Sequence, residues 1–128
     1  MLDCALAAPG EEVCGLVGGS GGAPVCFYPV ANRAADRATR FLMDAEQQID
    51  AMRGMREAGL DLLGIFHSHP NTAAEPSGVD LEMAAYPGVI YFIASMQNTV
   101  PQLRAYLYDD GGFQELLLLE PPNNLEKT

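Results

Sequence analysis

The chain reads as an α/β domain, a mixed, largely antiparallel sheet flanked by helices, and three observations predict it. Short apolar runs of strand length recur along the sequence, bounded by glycine, proline and acidic residues. A helical pattern with its own start and stop signals stands between the second and third of the longer runs. Near the end, two apolar runs flank Asp109-Asp110-Gly111-Gly112, a strong hairpin signal.

Taken in order, residues 2–8 predict a short helix stopped by Pro9-Gly10. Residues 13–18 are the first strand, and Gly18-Gly19-Ser20-Gly21-Gly22 turns the chain into a second at 25–30. Residues 40–43 read as a brief strand. Asp44 then caps a helix, with Gln47 completing a capping box; Ile49, Met52 and Met55 form its apolar stripe and Gly59 ends it. A buried strand follows at 62–66, a helix starts at Ser77, and Pro87-Gly88 opens a strand at 89–94. Strands 103–108 and 113–119 close the hairpin. Residues 1–120 are expected to form one domain, with 121–128 a frayed tail.

At 128 residues a single domain can bury a substantial core. Hydrophobic residues make up 48% of the chain, yet no apolar run reaches the length of a membrane span. The first eight residues lack the basic region and length of a signal peptide, so a cytoplasmic protein is expected. Cys4, Cys14 and Cys26 are few and widely spaced, which suits reduced thiols. A net charge of −10 without a basic cluster argues against nucleic acid or an anionic membrane as partner.

The chemistry concentrates in His67-Ser68-His69-Pro70, followed by Ser77 and Asp80. The two histidines are the only ones in the chain. Side chains alternate along a strand, so His67 and His69 project the same way. With a carboxylate returned by the next element they make three N/O ligands, the set of a catalytic zinc that keeps one position open for water. Ser77-x-x-Asp80 has a structural reading too: Ser77 caps a helix and Asp80 sits in its first turn. A rigid helix start is a good place to hold a ligand, so the two readings are compatible.

His67-Ser68-His69-Pro70 with Ser77-Gly78-Val79-Asp80 resembles the H-x-H-x7-S-x2-D signature of the JAMM (MPN+) metalloproteases. Upstream, Glu12-Val13-Cys14-Gly15-Leu16 is similar to the family's E-x-C-G-L segment. Looser similarity runs through residues 28–32, 40–44 and 88–95, and so covers nearly the whole chain. The resemblance implies a fold like that of cytidine deaminases and one zinc ion per chain, bound by His67, His69 and Asp80. It implies that Glu12 acts as general base on the bound water and that Ser77 stabilises the oxyanion. Glu11 is the competing carboxylate; the family's spacing before x-C-G selects Glu12.

The nearest likeness is to the short stand-alone prokaryotic branch. This implies an (iso)peptidase acting after the Gly-Gly tail of a ubiquitin-like sulfur-carrier protein. The spacings leave little room for the insertions that grip ubiquitin chains. Family members usually begin with a strand and a longer helix ahead of the glutamate segment, and about ten residues precede Glu11 here. That predicts a bare sheet edge, or one completed by a partner in a homodimer. Two other functions stay open: a non-catalytic MPN-type interaction module, which would be expected to have lost ligands, and a zinc amidohydrolase acting on a small molecule. The absence of a phosphate-binding glycine loop weighs against phosphorylated substrates.

Overall fold

The apolar runs become strands of one sheet in the computed structural model, which describes residues 1–83, 88–109, 112–118 and 126–127. The described strands are β1 (Cys14–Ser20), β2 (Ala23–Val30), β3 (Asp61–His69), β4 (Ile90–Ser95), β5 (Gln102–Asp109), β6 (Gly112–Leu116) and β7 (Glu126–Lys127). The helices are α1 (Leu2–Ala7), α2 (Ala45–Glu57) and α3 (Gly78–Met83). The sheet order is β6-β5-β4-β3-β1-β2-β7. Neighbours run antiparallel except β3 with β4 and β2 with β7. This is the mixed, largely antiparallel α/β sheet expected.

β3 is interior, paired with β1 on one side and β4 on the other. Parallel neighbours need a crossover, so the chain leaves β3 at the end that carries the histidines, and α3 lies within the connection to β4. Alternation along the strands builds two apolar layers. Leu16, Tyr28, Ile65 and Tyr91 pack with Ala51 and Met55 of α2. Val17, Phe27, Phe66 and Phe92 pack on the other face with Met1 and Ala5. The larger aliphatic and phenylalanine side chains among them each contribute roughly 1.5–3 kcal/mol on burial. Gly15 permits this closeness: a Cβ there would lie 2.5 Å from the Phe27 ring and from the Tyr28 carbonyl oxygen.

Several local expectations change. The strand expected at 40–43 is reduced to a single bridge between Asn32 and Met43. The Asn32 side chain takes the backbone groups a ladder would use: its Oδ1 accepts from Ala34 N (3.0 Å) and Leu42 N (2.9 Å), and its Nδ2 donates to Arg40 O (3.0 Å). Asp44 does cap α2, accepting from Gln47 N at 2.9 Å, but the reciprocal half of the box is absent. Gln47 Oε1 accepts instead from Ala31 N, and Asp44 N donates to Ala31 O. Ile49 lies outside the buried stripe, 58% exposed, and the buried residues are Ala51 and Met55, one turn apart. Gly59, with φ of +72°, ends the helix as expected.

The hairpin forms with Asp109 opposite Gly112, while β6 stops at Leu116. Most of the expected tail lies outside the described residues. Within it, Glu126 and Lys127 pair in parallel with Cys26 and Phe27. β1 is not an edge strand, and over these two residues the outer side of β2 is covered by the same chain. No described helix is long and apolar enough to cross a membrane.

Candidate metal centre

β3 carries His67 and His69 side by side on its α2 face, and the first turn of α3 brings Asp80 across to them. His67 Nε2, His69 Nε2 and Asp80 Oδ2 form a triangle with each side 3.1 Å. Tetrahedral ligands about 2.05 Å from a shared zinc lie roughly 3.3 Å apart, close to this spacing. Glu12 completes a group of four whose ligand atoms lie within 4.8 Å of one another, and all four residues are buried.

The hydrogen bonding calls for a positive charge between His69 and Asp80, on a proton or on a metal ion. His69 Nδ1 lies 2.8 Å from the Ala73 carbonyl, which can only accept, so Nδ1 carries the hydrogen. In the neutral ring the Nε2 lone pair then points at the Asp80 carboxylate, and two acceptors face each other at 3.1 Å. A proton or a metal ion resolves that conflict, and two imidazole nitrogens with a carboxylate oxygen are a zinc-type donor set. The Ala73 carbonyl is also the outer partner that orients such a ligand.

Electrostatics agree with the geometry. Burial disfavours the ionised Asp80, yet hydrogen bonds with His67 and His69 outweigh it and hold the carboxyl well below the usual range. Burial lowers the His67 pKa, keeping the ring neutral as a ligand must be. Burial acts the same way on His69, but the bonds to Asp80 and to the Ala73 carbonyl raise it overall. Glu12 is pushed up to about 7, chiefly by burial, against the pull of His69 and with the help of Asp80 and Asp36. A carboxylate poised there suits proton transfer at neutral pH. Its Oε1 is buried without a protein partner, as is His67 Nδ1.

Each functional group is held by identifiable neighbours. Ser77 and Asp80 form a reciprocal cap: Ser77 N donates to Asp80 Oδ2 (2.8 Å) and Asp80 N donates to Ser77 Oγ (3.0 Å). Ser77 thus sits at the helix start, exposed, and its hydroxyl hydrogen is still able to donate outward. Glu12 N donates to Arg37 O at 2.6 Å, and Glu12 O accepts from Asn32 Nδ2 at 2.8 Å. The next residue is bound to Ser68, between the histidines: Val13 N donates to Ser68 Oγ (2.9 Å) and Ser68 N to Val13 O (3.0 Å). Glu11, by contrast, is exposed and ion-paired with Arg37 at 2.9 Å.

The structure brings together all five residues singled out from the sequence and adds supports to which the sequence reading gave no role. Asn32 and Ser68 tether the Glu12 segment. Phe41 stacks on His67, ring centroids 4.6 Å apart and planes 24° from parallel. Ser95 Oγ donates to Thr72 O and Tyr106 OH to Ala74 O, each at 2.6 Å, fixing loop 70–76. Ser68 was visible as the residue between the ligands; Asn32, Ser95 and Tyr106 reach the site through long-range contacts that no local pattern encodes. Cys14 faces His67 across the β1–β3 ladder, but its thiol donates to Val30 O and is pushed up to about 12 by burial and by Glu12. It is a packing residue, as expected.

Comparison with known proteins gives the chain a family. Residues 1–107 match the family described as prokaryotic homologues of the JAB domain. A desampylase of Haloferax volcanii is 33% identical over 110 residues, spanning 84% of this chain and 77% of that protein. A CysO-cysteine peptidase of Mycobacterium bovis is 32% identical over 121 residues, 91% of this chain and 79% of the relative. The solution structure of a Desulfitobacterium hafniense protein, 33% identical, superposes with a TM-score of 0.75 over 96% of this chain and 80% of its own. A JAB1/MPN domain protein of Archaeoglobus fulgidus, 22% identical, shares the fold with a TM-score of 0.53, over 98% of this chain and 88% of its own. The chain belongs to the prokaryotic JAB, or JAMM/MPN, family and is a peptidase-type hydrolase of that family.

Proposed function

We propose that the chain is a zinc-dependent (iso)peptidase that hydrolyses the amide bond after the Gly-Gly tail of a ubiquitin-like sulfur-carrier protein. The observation that carries the hydrolase reading is the buried triangle of His67, His69 and Asp80 with the unpartnered Glu12 carboxylate beside it. The names of the relatives support the substrate class: one is a desampylase, another a CysO-cysteine peptidase.

In this reading His67, His69 and Asp80 would hold one zinc ion. Bound there, zinc supplies Lewis acidity that makes water a nucleophile at neutral pH. Glu12, close to the ligand atoms and free at Oε1, is placed to take the proton from the attacking water. It then passes the proton to the amine as the C–N bond breaks. Ser77, its oxygen occupied by the Asp80 amide, donates its hydroxyl hydrogen to the developing oxyanion. Loop 70–76, anchored at the carbonyls of Thr72, Ala73 and Ala74, is a fixed wall along which an extended tail can lie. Two glycines let the tail backbone come close where side chains would collide.

The test compares carriers extended past Gly-Gly with carriers whose second glycine is valine, and with isopeptide-linked ubiquitin chains. Cleavage of the Gly-Gly tail, with much weaker cutting of the other two, is the expected result. Equal rates on glycine and valine tails, or efficient cutting of ubiquitin chains, would contradict it.

A further inference from the structure

Glu12 is 4% exposed, and its Oε1 has no hydrogen-bond partner among the described residues. With nothing in the protein gripping that oxygen, its place depends on the backbone beneath it. That backbone lies just outside the sheet: the β1–β3 ladder begins at Cys14, and Val13 is met by Ser68. At Glu12 itself both backbone groups turn to the stretch 32–40. Its N donates to Arg37 O at 2.6 Å, and its O accepts from Asn32 Nδ2 at 2.8 Å.

The Asn32 amide does more than meet Glu12. Nδ2 also donates to Arg40 O (3.0 Å), and Oδ1 accepts from Ala34 N (3.0 Å) and Leu42 N (2.9 Å). Both donors and both lone pairs of the amide are thereby used, so the group has one orientation and little freedom to turn. Arg40 and Leu42 flank Phe41, whose ring stacks on His67 with centroids 4.6 Å apart. A single side chain thus ties the backbone of Glu12 to the segment that packs on a metal ligand. We infer that Asn32 is a positioning residue: it holds the Glu12 carboxylate within reach of the His67, His69 and Asp80 triangle. The inference rests on the peptidase reading and adds to it the side chain on which the base depends. Reach matters because proton transfer needs hydrogen-bond distance, and a misplacement of about 1 Å can cost 10²-fold in rate.

Asn32→Asp is nearly isosteric and separates the two halves of the amide. It keeps an acceptor for Ala34 N and Leu42 N, and it sets an oxygen against the Glu12 and Arg40 carbonyls in place of the donor. With the zinc-loaded chain and a ubiquitin-like carrier extended past Gly-Gly, kcat should fall about tenfold or more, while KM and zinc content match the parent. Asn32→Ala should act likewise, which distinguishes the lost donor from the added charge. The sharpest readout is a cycle with Glu12→Gln. Without the carboxylate there is nothing left to position, so Asn32→Asp added to Glu12→Gln should cost less than about twofold. An unchanged kcat in both Asn32 variants, the full loss repeated in the Glu12→Gln background, or loss of zinc with the amide would overturn the inference and leave the peptidase reading standing. A parent chain that leaves the carrier intact would overturn both.

Discussion

At the scale of single residues the proposed mechanism separates metal binding from proton transfer. His69 is locked by the Ala73 carbonyl and supplies one corner of the triangle. His69→Ala should remove most of the bound zinc and the activity together, read by metal analysis of the purified variant; a full zinc equivalent in that variant would refute the ligand set. Glu12→Gln should keep the metal and lower turnover by about 10²-fold or more. The same residue gives a pH signature in the metal-free chain. Burial raises the folded-state pKa of Glu12 from 4.5 to about 7, so its contribution to stability is complete below about 4.5 and is lost as pH rises through 7. Denaturant melts at pH 5 and pH 8 should show the metal-free parent losing more stability over this range than metal-free Glu12→Gln. Identical losses would mean the carboxyl is not buried as described.

At the scale of elements, β3 and the start of α3 do most of the positioning, and the supports around them are open to test. Tyr106→Phe removes the hydroxyl that serves the Ala74 carbonyl, which should cost about 1–2 kcal/mol in equilibrium unfolding and slow turnover through a looser 70–76 loop. Gly15→Ala should cost about 1–3 kcal/mol, since the added methyl meets a backbone oxygen and the Phe27 ring at 2.5 Å. An unchanged melt for Gly15→Ala would show that the sheet can open there. These elements also mark where sequence was legible. The α2 boundaries, the Ser77 cap and the alternation of His67 and His69 follow from local rules of period and capping, and the structure matches them. The strand expected at 40–43 failed because Asn32, about ten residues away, claims its backbone groups, and propensity within a window cannot register that competitor. The spacing of Ile49 predicts it inside, yet α2 is turned so that Ala51 and Met55 meet the sheet.

For the molecule as a whole, the fold brings residues from three distant stretches of chain to one end of β3. Glu12 comes from the segment before β1, the histidines from β3, and Asp80 from the crossover that parallel pairing of β3 and β4 requires. Sequence spacing alone could suggest these partners, while their convergence depends on the sheet order. Metal should act on the whole fold through this convergence. At a hundred times its Kd, zinc should stabilise the chain by about 2.7 kcal/mol, raising Tm by several degrees, and a chelator should reverse the gain. The central claim, metal-assisted hydrolysis after a Gly-Gly tail, is tested most directly by the mass of a ubiquitin-like carrier extended past Gly-Gly after incubation with the zinc-loaded chain. The expected result is a product ending at the second glycine, lost with chelator and with Glu12→Gln; an intact carrier, a cut elsewhere, or a cut that persists without metal would contradict it.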